Sequence, residues 1–429
     1  MHSFHYRNGE LHCEEVALSR AAEEFHTPLY LYSAGTILDH YRRLDAALAP
    51  LDHLICYAVK ANSNGAILKL LADAGAGFDI VSGGELFRVL KAGGAAAKCT
   101  FAGVGKSPEE IEYALDEGVF SFNVESEAEL ERIDRIARSK EVMAPIALRV
   151  NPDVDAGTHR YVSTGRSENK FGIGLDRVAA VYEHAARLPN LFIRGVQMHI
   201  GSQITDAAPF AEAIAKVAPL IEELKRRYAL EFFSVGGGMG IIYRRALESG
   251  SGKWWHEQEG EAAAFGVADY AAAIVPTLRE LNLSILLEPG RFLVGNAGVL
   301  LTRVRYLKQA AQKKFVIVDA GMNDLIRPAL YQSYHEIVPV REASDKVREC
   351  VDVVGPVCES GDFFAQDREL PPVREGDLLA LMSAGAYGFA MASNYNSRPL
   401  PAEVLVQGDR FSLIRRRQTI EDLVRDECG

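Results

Sequence analysis

The apolar run that begins at Leu54 ends in a lysine, Lys60. An ammonium group is costly to desolvate in apolar surroundings, whereas a neutral amine there can condense with a carbonyl group. A lone lysine at the end of a strand more often extends its charge to water along its apolar stem. Lys60 therefore indicates a catalytic amine only if other reactive residues are brought to the same place.

Other apolar runs contain or precede residues suited to binding or catalysis, which are Asp79, His199, Ser202, Gly236, Gly237, Gly238, Glu288, Gly290 and Arg291. Three consecutive glycines expose backbone N–H groups that can bind a phosphate, although a glycine run by itself more often forms a tight turn. Glu288 ends an apolar run and needs a proton or a cation, either from an arginine or from a protonated ring nitrogen. His199 is either a packed core histidine or a ring that stacks on a flat cofactor.

Eight β-type runs alternate with helical patterns over residues 36–296, and this alternation predicts a parallel (β/α)8 barrel of the TIM type. An open doubly wound sheet is the alternative. The runs are 54–60, 78–82, 99–103, 121–125, 146–151, 193–200, 232–236 and 285–288. Residues that follow the strands of a barrel gather at one rim, so this fold would bring Lys60, His199 and Glu288 together.

Two of the helical patterns begin with a serine, Ser107 and Ser126, followed three residues later by a glutamate. This spacing is typical of a capping box and predicts a helix start at each serine. The stretch from Gly103 to Ser107 is similar to the end of a phosphate-binding P-loop, but Thr100 occupies the position of that motif's first glycine. We therefore interpret the stretch as a helix start without a nucleotide.

Beyond residue 296 the helical patterns stop and β-type runs dominate, at 315–319, 336–340, 351–354, 378–382, 403–406 and 411–414. These runs predict a second, β-rich domain. The strand-like runs 11–16 and 29–32 have no place in the barrel, and we expect them to join this domain. The predicted domains are the barrel, 36–296, and a discontinuous β-rich domain, 1–35 and 297–429.

Two irregular segments interrupt the barrel pattern, a Gly/Ser/Thr-containing segment after Asn151 and a polar segment, 241–265, with Trp254 and Trp255. Both follow strands at the end of the barrel where active-site loops gather. For the two tryptophans, packing against a neighbouring element is the favoured interpretation.

Composition limits the partners. The chain has 429 residues, 48% hydrophobic and 24% charged, and a formal net charge of −11, which argues against nucleic acid or an anionic membrane as a partner. The sequence has no apolar run of membrane-spanning length and no signal-peptide pattern, so we expect a cytoplasmic protein. Six cysteines without a C-x-x-C pair predict no zinc or other metal site and no disulfides, and we expect most of them to be buried.

Seven motifs of this chain resemble those of a known enzyme family. The motifs are Tyr57-Ala58-Val59-Lys60-Ala61-Asn62, Val81-Ser82-Gly83-Gly84-Glu85, His199-Ile200-Gly201-Ser202-Gln203, Gly236-Gly237-Gly238, Glu288-Pro289-Gly290-Arg291, Gly355-Pro356-Val357-Cys358-Glu359-Ser360-Gly361-Asp362 and Gly385-Ala386-Tyr387-Gly388. The chain is similar over nearly its whole length to the alanine-racemase-fold, or fold type III, pyridoxal-phosphate-dependent decarboxylases. It is most similar to the branch that converts meso-2,6-diaminopimelate to L-lysine, the last step of lysine biosynthesis.

The resemblance implies pyridoxal 5'-phosphate as cofactor and assigns roles by position. Lys60 would bind the cofactor covalently with Asp79 beside it, His199 would stack on its ring, and Glu288 would hold its ring nitrogen. The residues implied around the phosphate and substrate are Ser202, Gly236, Gly237, Gly238, Gly290, Arg291 and Tyr387. The family also implies a homodimer in which Cys358, a proton donor, and Glu359 reach the partner's active site.

Substrate choice is implied by Arg327 and Tyr331, where the diaminopimelate branch places an arginine and a tyrosine. With Arg291 they would bind the carboxylate at the non-reacting end, and Glu359 would accept the ammonium there. A substrate without that carboxylate would leave buried cations unpaired, which can cost on the order of 10⁴ in discrimination. Decarboxylation of ornithine, lysine or a related diamino acid is the alternative activity. A racemase is less favoured because the Cys358-Glu359 segment resembles that of decarboxylases. A non-catalytic regulator on the same fold is less favoured because Lys60 and Cys358 are both present.

Overall fold

The structure is a computed structural model that describes residues 1–155, 170–257, 266–343 and 347–428, without the side chains of residues 255–257. The chain forms two compact units, which are described separately. Unit 2 consists of His40–Gly240 and Ala264–Phe292. Unit 1 consists of Met1–Asp39, Ile241–Ala263 and Leu293–Gly429.

The chain begins with short strands and two helices. The strands are β1 (Phe4–Arg7), β2 (Glu10–Cys13), β3 (Val16–Ala17) and β4 (Leu29–Ser33), and the helices are α1 (Leu18–Phe25) and α2 (Ala34–Ala47). The first three strands form their own antiparallel sheet. Helix α1 was not predicted from the sequence; its apolar positions Leu18, Ala21 and Ala22 are buried.

The predicted barrel is confirmed. Its strands are β5 (His53–Ala58), β6 (Gly77–Ile80), β7 (Cys99–Phe101), β8 (Ser121–Val124), β9 (Ala144–Asn151), β11 (Leu191–Met198), β12 (Phe232–Ser234) and β13 (Ser284–Leu287), with the short β10 (Ile173–Gly174) added beside β9. All of these strands pair in parallel, and the pairings of β5 with β13 and of β8 with β9 close the barrel. Cys56, Ala147, Phe232 and Leu286 form a fully buried cluster contributed by four of the strands.

The helices that accompany the barrel are α3 (Gly65–Asp73), α4 (Gly83–Lys91), α5 (Pro108–Glu117), α6 (Glu127–Ser139), α7 (Leu175–Ala185), α8 (Ala208–Arg227) and α10 (Val267–Glu280). Both predicted helix starts are confirmed: Ser107 and Glu110 form a complete capping box on α5, and the Ser126 hydroxyl accepts the N–H of Glu129 on α6. The Glu129 carboxylate instead accepts the backbone N–H of Glu125.

Unit 1 is built around a mixed sheet. Its further elements are α9 (Gly252–Glu257), α11 (Arg291–Val294, which begins in unit 2), β14 (Gly298–Gln309), β15 (Lys314–Val318), α12 (Arg327–Tyr331), β16 (Ile337–Pro339), β17 (Glu349–Val354), β18 (Phe363–Leu370), β19 (Leu378–Leu381), β20 (Ala402–Gln407) and β21 (Arg410–Arg415). The strand order is β18-β17-β15-β14-β4-β20-β21, and β19 pairs with β14 and β16. Of the two N-terminal runs expected in this domain, 29–32 joins this sheet as strand β4, between β14 and β20. The run 11–16 lies in the separate sheet of β1, β2 and β3, which also belongs to unit 1.

Two long strands of this sheet, β14 and β18, were missed in the sequence. The first half of β14 is buried, but the last five residues are exposed and mix Tyr306 and Leu307 with charged and polar residues, so the apolar pattern fades within the strand. β18 lies at the edge of the sheet and carries the charged sequence Gln366-Asp367-Arg368-Glu369. An edge strand needs fewer apolar residues because one side has no neighbouring strand, so pattern alone does not reveal it.

The two irregular segments are partly described. Residues 156–169, which contain the Gly/Ser/Thr-rich part after Asn151, lie outside the described residues, as do residues 258–265. Trp254 is buried, as expected for packing against a neighbour, and the side chain of Trp255 lies outside the description. Residues Ile241–Ala263 group with unit 1 rather than with the barrel.

The cysteine prediction is half wrong. No disulfide joins the six cysteines, and Cys13, Cys56 and Cys99 are buried, but Cys350, Cys358 and Cys428 are exposed. Within the described ranges, no group of three or more His, Cys, Asp or Glu side chains is arranged to hold a metal ion. A search of the same ranges finds no helix with the length and hydropathy needed to span a membrane.

Candidate active site

Lys60 lies just beyond strand β5, in unit 2. The strand ends at Ala58, and Val59–Ala61 form a short 3₁₀ turn, so the lysine follows the strand rather than ending it as predicted. The hydroxyl of the buried Tyr57 donates to the carbonyl of Asn62 at 2.9 Å, which ties the strand to the far side of the turn. The turn therefore presents the Lys60 side chain from a fixed backbone.

The partner of Lys60 is Asp79, in strand β6. Lys60 Nζ donates to Asp79 Oδ2 at 2.7 Å. The Asp79 side chain is fully buried, and its other oxygen, Oδ1, has no hydrogen-bond partner among the described residues. A buried carboxylate is stabilised by a nearby cation, so Asp79 holds the lysine at the rim of the barrel.

Glu288 follows strand β13 and is almost completely buried. Its Oε1 accepts hydrogen bonds from the Ser234 hydroxyl at 2.7 Å and the Asn123 amide at 3.4 Å. Its Oε2 accepts from the Gln197 amide at 2.9 Å. These donors come from strands β8, β11 and β12, and all three donors are neutral. Strand β12 pairs with β13, whereas β8 lies on the opposite side of the barrel, so the carboxyl group is contacted from both sides of the barrel interior.

The surroundings of Glu288 favour its protonated form. Burial raises the pKa of the Glu288 carboxyl above its ordinary value, and the negative charge of Asp79 raises it further. The hydrogen bonds from Ser234 and Gln197 and the charge of Lys60 act in the opposite direction without cancelling the effect. A carboxyl group held in this way is stabilised by a cation or a proton donor, and a protonated pyridine nitrogen supplies both. Lys60, Asp79 and Glu288 therefore fit the aldehyde and the ring nitrogen of pyridoxal phosphate.

His199 immediately follows strand β11. Burial and the charges of Arg149 and Lys60 lower the pKa of its ring well below the ordinary value, so the imidazole is neutral. The backbone N–H of Gly201 donates to Nδ1 at 3.3 Å, which leaves the ring proton on Nε2. A neutral flat ring at this rim is suited to packing against a planar cofactor.

The three glycines after strand β12 are required by backbone packing. A Cβ atom at Gly236 would lie 2.3 Å from the Met198 carbonyl oxygen, and one at Gly238 would lie 2.4 Å from that of Gly201. Both glycines also have left-handed backbone angles, with φ of 73° and 111°. The three glycines thus allow neighbouring loops of the rim to approach closely. Phosphate binding by their backbone N–H groups stays a prediction.

Ser202 and Arg291 contact each other at the same rim. Arg291 Nη2 donates to Ser202 Oγ at 3.0 Å, and the arginine is largely buried. A Cβ atom at Gly290 would lie 3.0 Å from Ala61 Cβ, beside the turn that carries Lys60. The structure of unit 2 therefore brings together all of the predicted barrel residues that follow strands β5, β11 and β13.

Glu85 is a further acidic residue near Lys60; it lies in one of the family motifs, but no role was predicted for it. Its Oε2 accepts the backbone N–H of Val81 at 2.8 Å in the first turn of α4. Burial raises the pKa of Glu85 to about 7, with smaller contributions from Lys60, which lowers it, and Asp79, which raises it. The partners of Glu288, namely Asn123, Gln197 and Ser234, were missed as well. Their signal was a polar residue inside an otherwise apolar strand.

Lys106, in the stretch that is similar to a P-loop, has a structural role. Its side chain is buried, and Nζ donates to the carbonyl oxygens of Gly103 and Asn123 at 2.8 and 2.9 Å. It also donates to Glu129 Oε1 at 2.6 Å. These three contacts match the three hydrogens of the ammonium group, so the side chain of Lys106 is bonded to the protein itself.

Arg327 and Tyr331 lie in unit 1 at the two ends of helix α12. Residues four apart lie on the same face of a helix, so the two side chains are neighbours. Arg327 is largely buried, and its Nη1 donates to Nε2 of His335 at 2.9 Å. Its guanidinium lies over the Tyr243 ring at 4.9 Å, and Nη2 donates to the Ser333 hydroxyl at 3.3 Å.

The remaining predicted residues, Cys358, Glu359 and Tyr387, also lie in unit 1. Cys358 and Glu359 are exposed; the N–H of Cys358 donates to Asn396 Oδ1 at 3.1 Å, and Glu359 Oε2 accepts from the Tyr395 hydroxyl at 2.8 Å. Tyr387 has a left-handed φ of 56°. Cys358 is therefore exposed, and neighbouring residues Tyr395 and Asn396 hold both Cys358 and Glu359.

Comparisons with known proteins agree on one family. A family model described as the pyridoxal binding domain of pyridoxal-dependent decarboxylases matches residues 34–295. A diaminopimelate decarboxylase from Pseudomonas aeruginosa is 51% identical over 100% of this chain and 99% of its own length. The Helicobacter pylori diaminopimelate decarboxylase complexed with L-lysine is 42% identical, with a TM-score of 0.87, over 95% of this chain and 98% of that one. The M. jannaschii enzyme in complex with L-lysine is 36% identical, with a TM-score of 0.91, over 100% and 98%.

Proposed function

This chain belongs to the pyridoxal-dependent decarboxylase family, and from that premise we propose that it converts meso-2,6-diaminopimelate to L-lysine and carbon dioxide. This reaction is a carbon–carbon lyase reaction and the last step of lysine biosynthesis. The observation that carries the proposal is the near-full-length match to diaminopimelate decarboxylases. The same chain holds Lys60, Glu288 and Arg327 by hydrogen bonds to neighbouring side chains.

Pyridoxal phosphate, when bound, supplies the electron sink that stabilises the negative charge left on the reacting carbon. Lys60 holds the aldehyde end of the cofactor, and Asp79 keeps the lysine amine in place. As a carboxylate, Glu288 would keep a proton on the ring nitrogen, because its buried negative charge needs a cation and its hydrogen-bond donors Asn123, Gln197 and Ser234 are neutral. His199 would pack its neutral ring against the cofactor ring. The residues that would bind the phosphate and the substrate are Ser202, Gly236, Gly237, Gly238, Gly290, Arg291 and Tyr387.

The substrate carboxylate that does not react is bound by Arg327, Tyr331 and Arg291, and Tyr387 contributes to the same substrate site. Glu359 accepts the ammonium group at that end. The side chain of Arg327 is buried, and a substrate without the carboxylate could not form charge-assisted hydrogen bonds with it. This requirement favours meso-2,6-diaminopimelate over ornithine or lysine.

A proton must be delivered to the reacting carbon after carbon dioxide leaves. We assign this step to the Cys358 thiol, with the Lys60 amine as the second candidate, because a thiol and an ammonium group can both donate a proton. Cys358 and Glu359 would act in the active site of the partner subunit of a homodimer. Their exposure within one chain is what such a shared site requires.

The domain assignment follows the same proposal. We propose that residues 36–296 form the domain that binds the cofactor, although Ile241–Ala263 group with unit 1, and that residues 1–35 and 297–429 form the β-rich domain. A biosynthetic reaction on free amino acids places the protein in the cytoplasm, with small molecules rather than nucleic acid as ligands. The net charge of −11 supports the latter point.

Carbon dioxide release from three amino acids tests the activity. The purified protein, supplied with pyridoxal phosphate, should release carbon dioxide from meso-2,6-diaminopimelate and form L-lysine, with far slower release from ornithine and lysine. Lys60→Ala should abolish turnover, whereas Lys69→Ala should not, because Lys69 lies exposed on helix α3. Release from ornithine alone, or normal turnover by Lys60→Ala, would contradict the proposal.

Mixing two inactive variants tests the shared site. Lys60→Ala and Cys358→Ala should each be inactive alone. In a two-fold symmetric dimer a random mixture should recover about a quarter of the wild-type activity, because a mixed dimer has one intact site. A mixture that stays inactive after subunit exchange, with a dimer seen by sedimentation, would place Cys358 in its own subunit's site.

A further inference from the structure

Arg327 is held by a histidine whose protonation state is fixed by its neighbours. The His335 side chain is completely buried in unit 1. Arg327 Nη1 lies 2.9 Å from His335 Nε2, and His335 Nδ1 lies 2.8 Å from the carbonyl oxygen of Met382. The ring therefore bridges an obligate donor and an obligate acceptor.

These two neighbours determine the tautomer. A guanidinium group can only donate hydrogen bonds, so Nε2 of His335 must accept with its lone pair. A carbonyl oxygen can only accept, so the ring hydrogen lies on Nδ1 and is donated to Met382. A second proton, on Nε2, would point directly at a cation, so this geometry requires a neutral imidazole.

Two further groups that contact the Arg327 guanidinium, the Tyr243 ring and the Ser333 hydroxyl, are also neutral. The Tyr243 ring lies under it at 4.9 Å and meets the His335 ring edge to face, with centroids 5.3 Å apart. The Ser333 hydroxyl accepts from Nη2 at 3.3 Å. The backbone of His335 is itself fixed, because Arg368 Nη1 donates to its carbonyl oxygen at 2.9 Å. These contacts restrain the arginine on several sides without supplying a negative charge.

Neutral restraint differs in its consequence from an ion pair. A carboxylate at the position of Nε2 would hold the guanidinium equally well, but it would also compete with an anionic ligand for the same N–H groups. A neutral acceptor fixes the fork of N–H donors and leaves the charge to attract a carboxylate. Pre-orientation of this kind strengthens binding because less conformational freedom is lost when the ligand binds.

We propose that His335 is a positioning residue that orients Arg327 toward the non-reacting carboxylate of the substrate. The inference rests on the proposed function, since it takes Arg327 as the group that binds this carboxylate. His335 then determines how tightly a ligand with that carboxylate binds, and it leaves the chemical step at the other end of the substrate unaffected.

Two substitutions separate the two nitrogen atoms of the ring. In His335→Gln the side-chain oxygen reaches the position of Nε2 and can accept from Arg327. In His335→Asn the amide N–H reaches the position of Nδ1 and can donate to Met382, but the acceptor for Arg327 is lost. The asparagine variant should raise the KM for meso-2,6-diaminopimelate about tenfold or more, the scale of one hydrogen bond to a charged group, with kcat changed less than about twofold. The glutamine variant should stay close to wild type.

Product binding supplies an equilibrium measurement with an internal control. L-lysine retains the carboxylate that Arg327 binds, whereas 1,5-diaminopentane has none. In titration calorimetry on the cofactor-loaded enzyme, His335→Asn should weaken L-lysine binding about as much as it raises KM and leave 1,5-diaminopentane unchanged. If the asparagine variant does not fold, Ser333→Ala, which removes the Nη2 acceptor, serves in its place. It should weaken L-lysine binding about twofold and leave 1,5-diaminopentane binding unchanged.

The outcomes are distinguishable from failure of the proposed function. Wild-type enzyme that releases no carbon dioxide from meso-2,6-diaminopimelate would overturn the proposed function itself. If the wild-type enzyme is active, two results would overturn the role of His335. One is the same KM for the asparagine and glutamine variants. The other is that in both variants the binding of 1,5-diaminopentane weakens as much as the binding of L-lysine. The latter result would mean that His335 only supports the fold.

Discussion

Lys60 and Asp79 form an ion pair in which one member is fully buried and the other is not: Nζ lies 2.7 Å from Oδ2, with 0% of the Asp79 side chain and 38% of the Lys60 side chain exposed. The buried carboxylate comes from strand β6 and the lysine from the turn after β5, which is its neighbour in the barrel. The buried charge of Asp79 therefore holds the Lys60 amine in place, while the lysine side chain stays partly exposed at the rim of the barrel.

Asp79→Asn should weaken this anchor without changing the volume of the side chain. Loss of the negative charge disfavours the charged amine and frees the lysine to adopt other rotamers. We expect kcat/KM for decarboxylation to fall about tenfold or more, equivalent to roughly 1.4 kcal/mol or more. Asp73→Asn, which removes an exposed ion pair with Lys69 on helix α3, is the matched control. Equal activity of both variants would show that the pair with Lys60 is dispensable.

Much of this site was predictable because a barrel imposes its own geometry. Strands end at one rim, so residues as far apart in sequence as Lys60, His199 and Glu288 could be grouped from the order of the apolar runs alone. The charge coupling of Lys60 with both His199 and Glu288 agrees with that grouping. The prediction required only the number and direction of the strands, which hydrophobic periodicity reveals well.

Glu288→Gln should show what the charge contributes. The amide keeps the size of the carboxyl group but cannot carry the negative charge that stabilises a protonated ring nitrogen. We expect kcat to fall by about 10²-fold, the scale of losing one preorganised electrostatic contact. The absorbance spectrum of the bound cofactor should change in parallel.

Ser234→Ala is the control for this experiment. It removes one neutral hydrogen bond to Glu288 and leaves the charge, so the expected loss is about 1 kcal/mol, or a few-fold in rate. A larger loss in Ser234→Ala than in Glu288→Gln would contradict the assignment of the charge as the important property.

The contacts that tune the site could not be predicted in the same way. Asn123, Gln197 and Ser234 each lie within an apolar strand, and only the strand register decides which of them face Glu288. A shift of one residue would turn each to the opposite face. Likewise, the pairing of Arg327 with His335 depends on the path of the chain after helix α12, which no periodic pattern encodes.

The raised pKa of Glu85 predicts a pH dependence of stability. Burial raises this pKa to about 7 from the ordinary 4.5, so between these pH values the folded protein holds a proton that the unfolded chain has released. Glu85 therefore contributes to the free energy of unfolding at low pH, and this contribution is lost as the pH rises from 4.5 to about 7. At about 1.4 kcal/mol per pKa unit, the loss amounts to a few kcal/mol.

Glu85→Gln should remove that dependence, because the amide does not titrate and its oxygen can still accept the N–H of Val81. Relative to wild type, the variant should gain free energy of unfolding between about pH 5 and about pH 8 in urea titrations. Glu112→Gln, at an exposed position of helix α5, should follow the wild-type curve. Parallel curves for wild type and Glu85→Gln would mean that Glu85 is already ionised in the folded protein over this whole pH range.

Lys106 offers the sharpest contrast between a sequence motif and its physical role. Its ammonium group and the Glu129 carboxylate are both nearly excluded from solvent, with 1% and 9% of the side chains exposed. Removing one partner leaves the other charge buried, so Lys106→Met should destabilise the protein by about 3–5 kcal/mol. The double variant Lys106→Met/Glu129→Gln, which leaves no charge behind, should recover much of that loss. Thermal and urea unfolding measure both variants, and ATP should not shift the unfolding of the wild-type protein. An ATP-dependent stabilisation that Lys106→Met abolishes would instead support a phosphate site in this stretch.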